Sequence, residues 1–189
     1  MLKIQDSGQE TVKMNDIYVN DDILLAEVIK PYKAHCKYLK SAEVIQEGDP
    51  QDGGRVIGRC ELAIPESCYI DDTGHFNAVE FNICYNQMVY YVIAKSVKER
   101  LIKSFRSWTM ADYWAKQLPD IYIVNFESAF RRAMQARQFW GEIELTDIRT
   151  RSGLMYIITK CRYWDDKGGN CSGKVKLAIV NPPMTSFVK

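Results

Sequence analysis

The chain has no excess of either charge. Its 25 Lys and Arg stand against 24 Asp and Glu, a net charge of +1 over 189 residues. No basic surplus is available to neutralise phosphates, which argues against a nucleic-acid partner. Long apolar runs are missing too. The longest near a candidate span is Met88–Ala94, far short of the roughly 20 residues that cross a bilayer, so no membrane span is expected. The opening residues, Met-Leu-Lys-Ile-Gln-Asp-Ser-Gly, lack the apolar stretch of a secretory signal. Together these absences point to a cytoplasmic protein. Histidine is scarce, with two in the chain, and Cys36, Cys60, Cys68, Cys84, Cys161 and Cys171 include no Cys-x-x-Cys pair. No ligand cluster results, so neither a metal nor a cofactor is expected. The thiols read as free and mostly buried. With 11 Gly and 6 Pro there is no linker or low-complexity segment, and there is no internal repeat. One domain over residues 1–189 is expected, large enough to bury a full core without staples.

What is present is a generous share of aromatics, 12%, including 11 tyrosines. A tyrosine-rich interior suits hydroxyls that line a pocket or an interface. Residues 1–19 read as polar and irregular. Asn20-Asp21-Asp22 then precedes apolar residues at helical spacing, and Pro31 ends that helix. Strands follow over Tyr38–Gln46 and Arg55–Ile64, joined by a turn rich in Gly, Asp and Pro. Pro65–Phe76 is a loop. Asn77 to about Val97 is apolar over most of its circumference and reads as a buried helix. Its closing cations, Lys95, Lys98 and Arg100, suit the C-terminal dipole. Thr109–Gln117 is a short helix. Four strands complete the chain, over Ile121–Phe130, Phe139–Arg149, Leu154–Trp164 and Ser172–Val180. Helix and strands are segregated, so the class is α+β. One long buried helix wrapped by a curved antiparallel sheet of about six strands, with an extra N-terminal helix, is the hot-dog arrangement. A sheet covered by one helix leaves much surface to bury, so a homodimer or larger homo-oligomer is expected.

The chemistry concentrates at Glu66-Ser67-Cys68-Tyr69-Ile70-Asp71-Asp72-Thr73-Gly74-His75-Phe76-Asn77-Ala78-Val79-Glu80, running on to Asn86-Gln87. Tyr69, His75, Asn77 and Glu80 fall at the start of the buried helix. Helix N-termini present unpaired N–H groups and a partial positive charge. A thioester carbonyl placed there is polarised, and an enolate is stabilised.

Gly74-His75-Phe76 before a buried helix resembles the start of the central helix in β-hydroxyacyl-ACP dehydratases. The denser resemblance is to the FcoT-like acyl-thioesterase family, which includes the enoyl-ACP glycyltransferases of isonitrile lipopeptide biosynthesis. It rests on Glu66-Ser67, Tyr69-Ile70, Thr73 through Glu80 and Asn86-Gln87. Pro31-Tyr32, Cys36, Tyr38-Leu39, Phe130-Arg131-Arg132, Trp164-Asp165 and Ser172-Gly173 extend it, so that it spans roughly residues 24–181. The resemblance implies an enzyme acting on a fatty enoyl or acyl thioester held on an acyl carrier protein or on coenzyme A. In the glycyltransferases the amine of glycine adds to the β-carbon of the unsaturated chain, giving a 3-(carboxymethylamino) fatty acyl product. The alternative within the family is a long-chain acyl thioesterase. The implied site positions are Tyr32, Tyr69, Asn77 and Asn86, with His75 inside the same motif.

Conjugate addition needs a neutral amine, a polarised carbonyl and a proton for the α-carbon. His75 is the candidate proton carrier. N–H groups around Asn77 and Ala78, with Tyr69 or Asn86, are candidates for the enolate. Arg131 or Arg132 is a candidate partner for the glycine carboxylate. Plainer readings stand beside these. Asn77 with Glu80 three residues on is also a capping box. Asn77 and Asn86, nine residues apart, lie about half a turn out of phase at 100° per residue, so one pocket in one subunit does not hold both unless it is shared in a dimer. Cys68 and Cys84 have no evident base. The Lys98–Arg100 and Arg131–Arg132 clusters are solvated faces or docking points for an acidic carrier. A third function, a non-catalytic module that binds an acyl thioester, needs no proton shuttle and so leaves Tyr69, His75 and Asn77 unexplained.

Overall fold

The computed structural model describes residues 16–71 and 73–183. Its elements are β1 (Asp16–Tyr18), α1 (Asp22–Val28), β2 (Leu39–Glu47), β3 (Arg55–Leu62), α2 (Ala78–Lys98), α3 (Met110–Lys116), β4 (Ile121–Arg132), β5 (Phe139–Arg151), β6 (Leu154–Trp164) and β7 (Asn170–Val180). The strands form one antiparallel sheet in the order β1-β2-β3-β5-β6-β7-β4. This is the hot-dog fold, with α2 as the helix in the sheet's concave face. The sheet has seven strands rather than about six. The additional one, β1, lies within the segment expected to be irregular, and pairs Asp16, Ile17 and Tyr18 with Gln46, Ile45 and Val44. Three residues, two of them exposed, are too few to show a strand period.

The alternation of the strands decides which side faces the helix. Val56, Cys60 and Leu62 of β3, Ile143 and Leu145 of β5, and Ile157, Cys161 and Tyr163 of β6 are all buried. They form one apolar cluster with Phe81, Cys84, Tyr85, Met88 and Val92 of α2. Two glycines let the helix approach closely. A Cβ on Gly58 would lie 2.3 Å from Val92 Cγ2, and one on Gly141 would lie 2.7 Å from Met88 Sδ. Overpacking at such a point typically costs about 1–3 kcal/mol. Gly58→Ala is therefore expected to lower the unfolding free energy from urea titration by an amount in that range, and an unchanged value would mean that helix and sheet are looser here than described.

α1 is fastened to the far end of α2. Asp21 caps it, accepting from the Leu24 N–H at 3.0 Å. The Asp21 N–H donates to the Tyr91 hydroxyl at 2.9 Å, and its carboxylate pairs with Lys98. In the middle of α2, the buried Gln87 accepts from the Tyr38 and Leu39 N–H groups, both at 2.9 Å, and donates to the Cys36 carbonyl at 2.6 Å. Five of the cysteines are buried and Cys68 is half-buried, all with free thiols.

One stripe of α2 is not covered. Val79, Asn82, Ile83, Asn86 and Tyr90 recur at three- and four-residue spacing, and all are exposed or half-buried; Val79 is 45% exposed. The sequence reading of a helix buried nearly all round is thus corrected on this side. β4 pairs only with β7, so its other edge carries no partner strand among the described residues. No described helix is long and apolar enough to cross a membrane.

Candidate active site

The motif before α2 divides its residues between inside and outside. Gly74 has φ +73, a left-handed conformation that glycine adopts without strain. It turns the chain so that Phe76 points inward. Phe76 is 1% exposed and packs against Phe139 and Tyr163, with ring centroids 4.9 and 5.2 Å away. His75, next to it, is exposed. The loop is held at both ends by the strap between β4 and β5. The Ile64 N–H donates to the Ala136 carbonyl, and the Phe76 N–H to the Met134 carbonyl, each at 2.9 Å.

Asn77 is the N-cap of α2. Its Oδ1 accepts from the Val79 N–H at 2.9 Å and the Glu80 N–H at 3.2 Å, and Glu80 Oε2 accepts from the Asn77 N–H at 3.3 Å. This is the capping box that the spacing indicated. Asn77 also uses its other end: Nδ2 donates to Thr73 Oγ1 at 3.2 Å, and that hydroxyl donates to the His75 carbonyl at 2.7 Å. Asn77 therefore couples helix start to the backbone of His75. Asn77→Ala is expected to cost about 1 kcal/mol through the lost cap. Asn77→Asp keeps the capping oxygen but removes the Nδ2 donor. Thermal melts and turnover of the two variants separate the roles: if Asp restores stability and not activity, the amide end matters to the reaction, and if it restores both, Asn77 is only a cap.

His75 and Glu80 line one small cleft of about 100 Å³ together with Ser67, Asp71, Gln135 and Arg137. Glu80 is 2% exposed, and its Oε2 faces the Asn77 N–H. Ser67 Oγ is buried and has no hydrogen-bond partner. Arg137 Nη1 donates to the Pro65 carbonyl at 3.3 Å. The strap that carries Gln135 and Arg137 is fixed by Asp165. Its Oδ2 accepts from the Gln135 N–H at 2.8 Å, and its Oδ1 from the Gly169 and Lys167 N–H groups at 2.7 and 2.9 Å. Burial pushes the Asp165 carboxyl up, but these N–H bonds outweigh it and hold it below the usual carboxylate range.

The other expected site residues lie elsewhere. Tyr69 is 52% exposed and does not line the cleft. Asn86 sits half-buried on the open stripe of α2. Tyr32 is half-buried against the core. Burial, with Tyr90 and Cys84 nearby, pushes its phenol well above the ordinary value. Arg131 is exposed on β4, at an irregularity between Phe130 and Arg132, and is not part of the cleft wall. The structure thus brings His75 and Glu80 onto one cleft, with Asn77 bonded to Glu80 beside it, while neither Tyr32 nor Asn86 lines that cleft. Arg137, Gln135 and Asp165 had no assigned role in the sequence reading. Arg137 lies between two strands, in no motif, and only the fold carries it to the cleft that Glu80 lines. A larger groove, about 810 Å³, lies on the outer face of the sheet between charged side chains such as Arg55, Glu144, Lys160 and Lys174. It holds none of the Glu66–Glu80 residues, although Ser172 and Gly173 line it.

A hot-dog fold with a polar cleft at the start of its central helix defines the class of protein. Residues 27–179 match the FcoT-like thioesterase domain, and the chain belongs to that family. It is similar to the (2E)-enoyl-ACP glycyltransferase of Streptomyces coeruleorubidus, 53% identical over 170 residues, which cover 87% of this chain and 100% of that protein. The protein of the same description from Mycobacterium marinum is 35% identical over 164 residues, covering 85% of this chain and 86% of the relative. Among solved structures, a candidate thioesterase from Syntrophus aciditrophicus superposes with a TM-score of 0.51 at 10% identity, covering 84% of this chain and 95% of that one. That likeness supports the fold alone.

Proposed function

We propose that this protein is a cytoplasmic (2E)-enoyl-ACP glycyltransferase, one hot-dog domain acting in isonitrile lipopeptide-type biosynthesis. The observation that carries this reading is the 53% identity to a relative of that name over the relative's whole length. The amine nitrogen of glycine bonds to the β-carbon of an α,β-unsaturated fatty acyl thioester. The Cα=Cβ electron pair moves toward the thioester carbonyl as an enolate, and one proton passes from nitrogen to the α-carbon. The bond between acyl group and carrier stays intact. No cofactor takes part.

His75 carries the proton, because it is the imidazole on the cleft wall. Asn77 Oδ1 already holds two of the first helical N–H groups. The thioester oxygen is therefore assigned to the Tyr69 hydroxyl and the Asn86 amide. Tyr32, a donor on the same side as Tyr90, borders the acyl chain. These groups meet if a second copy covers the open stripe of α2. The unpaired edge of β4, with Tyr122, Val124 and Phe130 between 43% and 52% exposed, supports such a homodimer. Arg131, exposed on that strand, suits docking of an acidic carrier protein.

Hydrolysis of the thioester is the second reading, favoured by the family's description as thioesterases. Intact-protein mass spectrometry separates the two. A carrier protein loaded with a 2-enoyl chain is incubated with the enzyme, with and without glycine. A gain of one glycine on the carrier is expected. Loss of the acyl group regardless of glycine would make the enzyme a thioesterase.

A further inference from the structure

We infer that Tyr90 is a specificity-determining residue at the acyl end of the site: with Tyr32 it forms the wall at which the tail of the thioester substrate stops. The inference rests on the glycyltransferase reading, which puts the thioester at Asn86. The open stripe of α2 is a groove with one closed end. It runs from Val79 to Tyr90, roughly 16 Å at the rise of an α-helix. From Tyr91 to Val97 every residue of the helix is buried. Two helices roof that second half. α1 is fastened there by the Asp21 N–H bond to the Tyr91 hydroxyl and by the Asp21–Lys98 pair. α3 is fastened by Tyr113, which is fully buried and whose hydroxyl donates to the Tyr90 carbonyl at 2.8 Å. Gln117, the C-cap of α3, ties the two helices together: its Nε2 donates to the Val28 carbonyl at 2.8 Å. Tyr32 follows α1, its N–H bonded to the Ile29 carbonyl at 3.1 Å, and its phenol lies close to Tyr90. The roof therefore begins at Tyr90, the last open position of the stripe.

The direction of the chain follows from the other end. Phe130, next to the carrier contact Arg131, packs on Phe76 and Phe81 at the start of α2, with ring centroids 6.5 and 5.8 Å away. A chain delivered from there reaches Asn86 first and points its tail at Tyr90. Asn86 and Tyr90 are four residues apart, so they share a face of the helix and are separated by about 6 Å along its axis. The tail pocket is short. Each methylene beyond it meets a phenol ring whose own backbone is held by a buried tyrosine, and a packed interior of this kind does not open to take extra volume. In the proposed homodimer the second copy covers the long open side of the groove, which leaves Tyr90 and Tyr32 as its end.

The test is chain-length selectivity. Carrier proteins loaded with 2-butenoyl, 2-octenoyl and 2-dodecenoyl chains are incubated with glycine, and turnover is followed by mass spectrometry for the wild type, Tyr90→Ala, Tyr90→Leu, Tyr90→Trp and Val79→Trp. The wild type is expected to favour the short chain. Tyr90→Ala raises the ratio of kcat/KM for dodecenoyl to that for butenoyl roughly tenfold or more, the scale on which a shaped pocket rejects added methylenes. Tyr90→Trp lowers octenoyl turnover relative to butenoyl. Val79→Trp, at the far end of the groove, slows all chains alike. Partial unfolding also slows all chains alike, so it does not imitate a change of ratio, and Tyr90→Leu carries the test if Tyr90→Ala does not fold. A wild type indifferent to chain length, a ratio unmoved by every Tyr90 variant, or a ratio moved by Val79→Trp instead would each overturn the inference. If the acyl group leaves as the free acid without glycine, the same ratio is read from acid release, and its shift in the Tyr90 variants keeps the wall while the glycyltransferase reading falls.

Discussion

Replacing His75 by alanine is expected to lower kcat/KM for glycine addition by about 10²–10⁴-fold, the usual worth of a positioned acid–base group. The fold should survive. His75 is exposed, and the structural tasks of its motif fall to its neighbours: Gly74 makes the turn, Phe76 fills the core and Asn77 caps α2. The melting temperature of the variant therefore stays close to that of the wild type. A second signature separates proton transfer from mere positioning. Added imidazole should restore part of the rate. Unchanged turnover would remove His75 from the mechanism. Full loss of activity together with early melting would make it structural.

Ile83→Asp on the open stripe of α2 is expected to have the next largest effect. Ile83 is half-buried in the single chain, packed against the core on one side. In a homodimer that covers this stripe it becomes buried, and an unpaired carboxylate there costs several kcal/mol. The dimer is then weakened roughly 100-fold or more, and light scattering at micromolar concentration should give the mass of one chain. Activity should fall with it, because the proposed mechanism has Asn86 and Tyr32 reach the His75 cleft across the pair. The single chain itself should still fold, since the core on the other side of α2 is untouched. An active monomer would show that the site is complete in one chain. A wild-type protein that is monomeric from the start would remove the argument for shared residues.

The two effects bear on how much could be read from the sequence. The long helix, its cap, the strand pairs and the hot-dog arrangement were legible because each rests on a local pattern. Apolar residues run through Phe81–Val97, Asn77 stands three before Glu80, and Asp165–Gly169 closes a turn. β1 was not legible, because three residues paired to β2 show no period. Nor was the open stripe of α2. Val79, Ile83 and Tyr90 are apolar, so hydropathy alone cannot tell a face turned to the sheet from one awaiting another surface.

At the site the motif fixed the His75–Glu80 side of the cleft, while the other side was silent. Arg137 and Gln135 lie on a strap whose position follows from the pairing of β3 with β5 and from the Asp165 carboxylate. Those are long-range facts that no local spacing carries. Asn77 shows the opposite case. The bland reading as a cap holds in full, and the same side chain also reaches Thr73, a contact invisible in the sequence. Asn77 is the cap of α2 beside His75, while Asn86 sits half-buried on the open stripe and does not line the cleft, which is why the proposed mechanism depends on the oligomeric state.

The central claim is that a nitrogen–carbon bond forms at the β-carbon while the thioester survives. A carrier protein bearing a 2-enoyl chain labelled with ¹³C at the β-carbon, incubated with the enzyme and ¹⁵N-glycine, tests it directly by NMR. The account predicts that the β-carbon signal moves from the alkene to the amine region and splits by coupling to ¹⁵N, with the chain still on the carrier. Release of the unchanged unsaturated acid, with no coupling, would contradict it.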